Sequence, residues 1–185
     1  MSKGGTVVLR KGYGLADREN GVPYTADTVF DVGSITKQFT AAAILKLEMQ
    51  GKLRVEDPIG KFFPGVPDYK RSITLHHLLT HTSGLESDFA GDYDPVLRDE
   101  YVKRILASTL RSKPGDVYFY ANSGYSLLGA VVEIASGKPY EQYLRENLFL
   151  PAGMRDTGYK LPQWPQAIVA VGYHDGKRWG RINEK

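Results

Sequence analysis

Two short stretches of this chain hold residue types that can do chemistry together. The first is Ser34-Ile35-Thr36-Lys37. A serine hydroxyl is a poor nucleophile until a neighbour removes its proton. An amine three residues on, on the same helical face, can be that neighbour when it is neutral. The lysine reference pKa is about 10.4, and burial and the positive end of a helix both disfavour the ammonium. A helix N-terminus also offers backbone N–H groups to an oxyanion, so Ser34 N–H is a candidate donor. The second stretch is Tyr120-Ala121-Asn122. A phenol whose pKa is lowered by a nearby cation can shuttle protons. An asparagine amide can hold a substrate carbonyl or amide. Each stretch also has a plainer reading: an N-capping serine with a solvated lysine, and a packed tyrosine with an N-capping asparagine.

The flanking sequence says how these side chains are carried. Residues 28–32 form a β-branched and aromatic run that meets Gly33. A helix follows at once, with Ile35, Phe39, Ala42, Ala43, Leu45 and Met49 predicted as its buried face and Gly51 as its stop. The extended run Val117-Tyr118-Phe119-Tyr120 precedes a helix bearing Leu127, Leu128, Val131, Val132 and Ile134, which Asn122 is expected to cap and Gly137 to end. Both motifs therefore stand where an extended segment meets a helix, and their four side chains are expected to converge on one cleft.

Residues 6–10 read as a strand, pairing across Lys11-Gly12-Tyr13-Gly14 with a short strand near Leu15. Asp57-Pro58 starts a short helix ended by Pro64, and residues 75–80 form a helical turn. Asp94-Pro95 is expected to cap a helix bearing Leu97, Tyr101, Ile105, Leu106 and Leu110. Residues 140–148 read as a helix closed by Pro151 and Gly153, and residues 167–173 as a strand before a turn at His174-Asp175-Gly176-Lys177. Strands, helices, then a strand predict an α/β (α+β) sheet with a helical lobe inserted. The expected division is 1–55 for the first strands and the Ser34 helix, 56–165 for the helical lobe, and 166–185 for the return to the sheet.

At 185 residues the chain suits one domain with an inserted lobe, and a net charge of +3 is too small to argue for nucleic acid or an anionic membrane. The absence of cysteine excludes disulfides and thiolate chemistry and leaves the compartment open. No signal peptide is visible and no apolar run approaches transmembrane length. His77 and His81 stand four apart beside His76, a spacing that can bind zinc on a helix, but residue 78 is Leu and no third ligand is evident, so no metal is expected. No Gly-x-Ser-x-Gly elbow and no phosphate-binding glycine motif occur.

Longer matches surround the two motifs. Phe30-Asp31-Val32-Gly33-Ser34-Ile35-Thr36-Lys37-Gln38-Phe39-Thr40 resembles the first motif of the serine β-lactamase-like superfamily. Leu78-Leu79-Thr80-His81-Thr82-Ser83-Gly84-Leu85 resembles a signature loop of its class C branch, and Phe119-Tyr120-Ala121-Asn122-Ser123-Gly124-Tyr125 that branch's Tyr-x-Asn motif. Gly51-Lys52-Leu53, Asp57-Pro58 and Pro151-Ala152-Gly153-Met154 are similar to further landmarks, in the family's order, across residues 6–173. The branch includes class C β-lactamases, D-Ala-D-Ala carboxypeptidases, D-aminopeptidases and family VIII carboxylesterases. The resemblance implies a β-lactamase/penicillin-binding-protein-like fold. It implies Ser34 as the acylated nucleophile, Lys37 as proton acceptor or electrostatic activator, Tyr120 as proton shuttle and Asn122 as the substrate-orienting amide. It implies no cofactor; family members are often exported.

The family's third motif, a Lys or His followed two residues later by Gly on a sheet strand, has no Lys-Thr-Gly or Lys-Ser-Gly counterpart. His174-Asp175-Gly176 matches only the looser form and comes early. Family members are longer, so the chain looks C-terminally truncated and its fold incomplete. The expected activity is that of a serine acyl hydrolase acting on an ester, amide or β-lactam through an acyl-enzyme. The alternative is a catalytically incompetent fragment serving as an assembling or ligand-binding module. Poor turnover and self-association are expected, through homo-oligomers or a complementing C-terminal fragment, because a second oxyanion donor and the neighbouring strands are missing.

Overall fold

The computed structural model describes residues 1–91 and 96–181. It contains strands β1 (Ser2–Lys3), β2 (Thr6–Val7), β3 (Leu15–Asp17) and β4 (Val22–Pro23), then helices α1 (Thr36–Met49), α2 (Leu75–Leu79), α3 (Arg98–Ala107), α4 (Asn122–Ser136) and α5 (Tyr140–Leu144), then strands β5 (Gly172–His174) and β6 (Lys177–Gly180). The chain divides into two compact units, one of residues 1–33 and 155–185, the other of residues 34–154.

The first unit is built from short antiparallel pairs: β1 with β2, β3 with β4, and β5 with β6. Gly4 and Gly5 both take positive φ (53° and 78°), the conformation of a tight two-residue hairpin loop. Residues 6–7 consequently pair back with residues 2–3, not forward with Leu15 as the sequence pattern predicted. Leu15 pairs with Pro23 instead. The same unit joins distant parts of the chain: Val29 forms a parallel bridge with Val169, Val171 N–H donates to Ala16 O at 2.8 Å, and Arg181 Nη2 donates to Asp17 Oδ2 at 2.6 Å. The predicted strand 167–173 is shorter, because Pro165 leads into a 3-10 turn at Gln166–Ile168 and the ladder starts at Gly172. Asp175 (φ 49°) and Gly176 (φ 74°) form a two-residue turn where a turn was expected, and the structure adds a strand after it, β6, that pairs back on β5.

The second unit is helical. Its core joins Ala43, Ile44 and Leu47 of α1, Leu75 and Leu78 of α2, Ile105 and Leu106 of α3, and Leu127, Leu128 and Val131 of α4. The buried face of α1 is Thr40, Ala43, Ile44 and Leu47, whereas Ile35, Leu45 and Met49 are exposed. The predicted face was out of phase because α1 is apolar around most of its circumference, so spacing alone does not select one stripe. α4 is the central helix: seven of its residues are buried, and Gly137 ends it at φ 71°. The helix after Pro139 runs into a π-helical turn, Arg145–Phe149. The expected Asp94-Pro95 cap of α3 lies outside the described residues. Among the described residues, no helix is long and apolar enough to cross a membrane.

Candidate active site

Ser34, Lys37, Tyr120 and Asn122 all belong to the helical unit. Ser34 sits in a 3-10 turn, Gly33–Ile35, that leads directly into α1. The N-cap of α1 is Ile35, in helical conformation and without a side-chain cap bond. Ser34 is therefore not spent as a capping residue, and its hydroxyl is turned to other partners. Lys37, one turn on and half-buried, donates from Nζ to Ser34 Oγ at 3.2 Å and to Asn122 Oδ1 at 2.6 Å. The Tyr120 hydroxyl donates to Ser34 Oγ at 2.7 Å. Three side chains from two distant motifs thus meet around one hydroxyl oxygen, and the fourth, Asn122, holds the lysine.

Asn122 was expected to cap α4. Instead Ala121 is the N-cap, and Asn122 is the first helical residue with its side chain committed to Lys37. The segment before α4 is fixed by the loop after α2. Gly115 N–H donates to Thr82 O and Phe119 N–H to His81 O, each at 2.8 Å, and Ser123 N–H donates to Ser87 O at 2.8 Å. Gly84 lets these segments close up. It adopts φ 75°, its carbonyl accepts from Arg111 N–H, and a Cβ there would stand 2.2 Å from Ser112 O.

The electrostatics follow from this packing. Burial pushes the Tyr120 phenol up, but the Lys37 ammonium and the Ser34 hydroxyl outweigh it and hold the phenol below its ordinary value. Lys37 Nζ also lies 4.8 Å from the Tyr120 ring centroid and 5.7 Å from that of Tyr125. Tyr125 is pushed the other way, by burial and by its neighbours Tyr120 and Tyr118. Its hydroxyl donates to Leu79 O at 3.0 Å.

His77 and His81 face separate partners. His77 forms a reciprocal cap with Thr74, its Nδ1 accepting from Thr74 N–H at 3.2 Å. His81 Nδ1 accepts from Ala121 N–H at 3.2 Å, and its ring stacks on Tyr120. Sequence reasoning singled out His81 only as half of a possible zinc pair and as part of a signature loop. Its proximity to Tyr120 depends on a fold-level contact that no local pattern signals. His174 heads the β5–β6 turn, with Nε2 3.5 Å from Asp175 Oδ2.

Comparison with known proteins places this geometry in context. A family model described as "Beta-lactamase" matches residues 1–185. A putative penicillin-binding protein PbpX of Bacillus subtilis is 39% identical over 92% of this chain and 43% of its own length. Esterase EstB of Burkholderia gladioli is 36% identical over 96% of this chain and 50% of its own length. The octameric penicillin-binding protein homologue from Pyrococcus abyssi superposes with a TM-score of 0.82 at 35% identity, covering 97% of this chain and 44% of that one. The chain spans half or less of the length of these relatives, and its mixture of helices and strands corresponds to part of their α/β fold.

Proposed function

The chain belongs to the beta-lactamase family, and from that premise we propose that it carries the nucleophile of a serine acyl hydrolase. Ser34 Oγ attacks the carbonyl carbon of an ester, amide or β-lactam. Its proton passes to Lys37 Nζ or to the Tyr120 oxygen, whichever is unprotonated, as the Oγ–C bond of a tetrahedral intermediate forms. Collapse of that intermediate restores the carbonyl and breaks the bond from its carbon to the leaving oxygen or nitrogen, leaving the acyl-enzyme. Tyr120 returns the proton to the leaving alcohol or amine, and later takes one from the water that attacks the acyl group. Asn122, with Oδ1 on Lys37, has its amide NH₂ to meet a substrate carbonyl. Ser34 N–H serves as one oxyanion donor. The substrate class spans the activities in the relatives' names: esterase, penicillin-binding protein and, for a similar solved structure, D-amino acid amidase.

The observation that carries this reading is the convergence on Ser34 Oγ of Lys37 Nζ at 3.2 Å and the Tyr120 hydroxyl at 2.7 Å. A pre-steady-state assay with p-nitrophenyl butyrate tests it. The chain should release p-nitrophenol, with a burst approaching one equivalent per protein molecule when deacylation is slower than acylation, and Ser34→Ala should release none. An equal burst from Ser34→Ala, or no release from the parent, would refute the reading.

A further inference from the structure

We propose that His81 is a positioning residue that orients Tyr120 toward Ser34 and Asn122 toward Lys37 by gripping three consecutive residues of the segment that carries them. This inference rests on the acyl-transfer reading of Ser34, Lys37 and Tyr120. The His81 carbonyl accepts from Phe119 N–H at 2.8 Å. Its ring stacks on Tyr120 with centroids 4.5 Å apart and planes at 29°. Its Nδ1 accepts from Ala121 N–H at 3.2 Å. Phe119, Tyr120 and Ala121 are thereby each held by one residue, immediately before Asn122. Tyr125 lies against the imidazole at 5.0 Å and Tyr118 edge-on at 5.9 Å, so the ring is wedged among three phenols.

The backbone at His81 supports the same conclusion. Thr82 N–H donates to His77 O at 2.9 Å and His81 N–H to Leu78 O at 3.3 Å, the paired bonds that close a helix with a left-handed residue at C′. That position usually holds glycine, because a side chain is conformationally costly there. His81 occupies it at φ 58°. The imidazole supplies what glycine could not, an acceptor and a flat face for Tyr120.

The grip requires a neutral ring. Nδ1 can accept from Ala121 only as the Nε2–H tautomer. Burial and the nearby Lys37 charge push the His81 pKa below its ordinary value, which keeps the ring neutral at pH 7. The groups around it are Lys37 on α1, Tyr118 and Tyr120 on the preceding segment and Tyr125 on α4, with Asp88 acting on Tyr120 from the loop. Protonation would set Nδ1–H against Ala121 N–H and add a second cation near Lys37. The segment would then lose its register on Ser34.

The test compares the parent with His81→Gly and His81→Asn, which tolerate the left-handed backbone. Acylation of Ser34 by a fluorophosphonate is timed from pH 4.5 to 9, with circular dichroism and thermal melting as folding controls. Both variants should fold and react about 10- to 100-fold more slowly than the parent above pH 7, since a small misplacement costs on that order. The ratio of parent to variant rates should shrink toward unity as pH falls through the His81 midpoint, below 6.5, because the parent then loses the same grip. Nitrogen-15 NMR of the parent should show His81 as the Nε2–H tautomer. Parent and variant rates that agree at pH 8, a ratio that does not change with pH, or a protonated Nδ1 would overturn the positioning role while leaving the acylation of Ser34 standing. A parent that is never labelled would overturn the acyl-transfer reading, and this role with it.

Discussion

One lysine stands at the start of α1 and another reaches the end of α3, and their partners differ in kind. Lys70, from the turn Asp68–Lys70, is 0% exposed, and its Nζ donates to Ile105 O at 2.6 Å, Leu106 O at 2.9 Å and Ser108 Oγ at 3.1 Å. It adds a donor at the end of α3, where Ile105 O already accepts from Ser108 N–H at 3.3 Å and from the Ser108 hydroxyl at 2.8 Å. Lys37 donates instead to a hydroxyl and an amide side chain, Ser34 and Asn122, and stands against the Tyr120 ring. Backbone carbonyls neither give nor take protons, whereas a hydroxyl bonded to both a lysine and a phenol can lose its proton to either. The partners, more than the depth of burial, distinguish a lysine that holds the fold from the one proposed to move protons.

Substituting each lysine should break a different property. Lys37→Ala should slow acylation of Ser34 by about 10²–10⁴-fold, the range for loss of a positioned acid–base group, with little change in melting temperature. A fluorophosphonate time course beside a thermal melt checks this, and a large loss of stability would recast Lys37 as structural. Lys70→Ala should do the converse. It empties a buried volume and removes the hydrogen bonds that Nζ gives to Ile105 O, Leu106 O and Ser108 Oγ, which should lower stability by about 2–5 kcal/mol in urea unfolding while the folded fraction acylates at the parental rate.

A smaller effect sharpens the contrast. Burial lowers the Lys70 pKa to about 8, against 10.5 for the free side chain. Between these values the unfolded chain holds a proton that the folded chain has released. Stability should therefore rise with pH across that window, by no more than about 1.4 kcal/mol per pH unit, and Lys70→Met should lack the rise. Parallel stability curves for the two proteins would show that Lys70 keeps its proton.

The two lysines were also unequally legible in the sequence. Lys37 lies one helical turn from Ser34, so its partner is written locally, and Tyr120-Ala121-Asn122 announces itself at a junction of elements. Lys70 lies among Asp68, Tyr69 and Arg71, a polar stretch that reads as surface, and only the packing of α3 over it encloses it. His81 follows the same rule: its loop was recognisable, but its grip on residues 119–121 depends on contacts about forty positions away. Local chemistry was also misjudged where two local signals competed. Gly4-Gly5 closes a hairpin inside the stretch where a strand pattern pointed forward to Leu15, and the lysine contact draws Asn122 away from a cap. The glycine-ended α4 and the Asp175-Gly176 turn were readable because both depend on a residue's own backbone preference.

The central claim is that Ser34 is the residue that becomes acylated. Its most direct test is intact-mass analysis followed by peptide mapping of the 185-residue chain after incubation with a fluorescent penicillin or a fluorophosphonate. The account predicts one adduct per chain, carried by the peptide containing Ser34 and absent from Ser34→Ala. An adduct on any other residue, or an equal yield of adduct on Ser34→Ala, would contradict it.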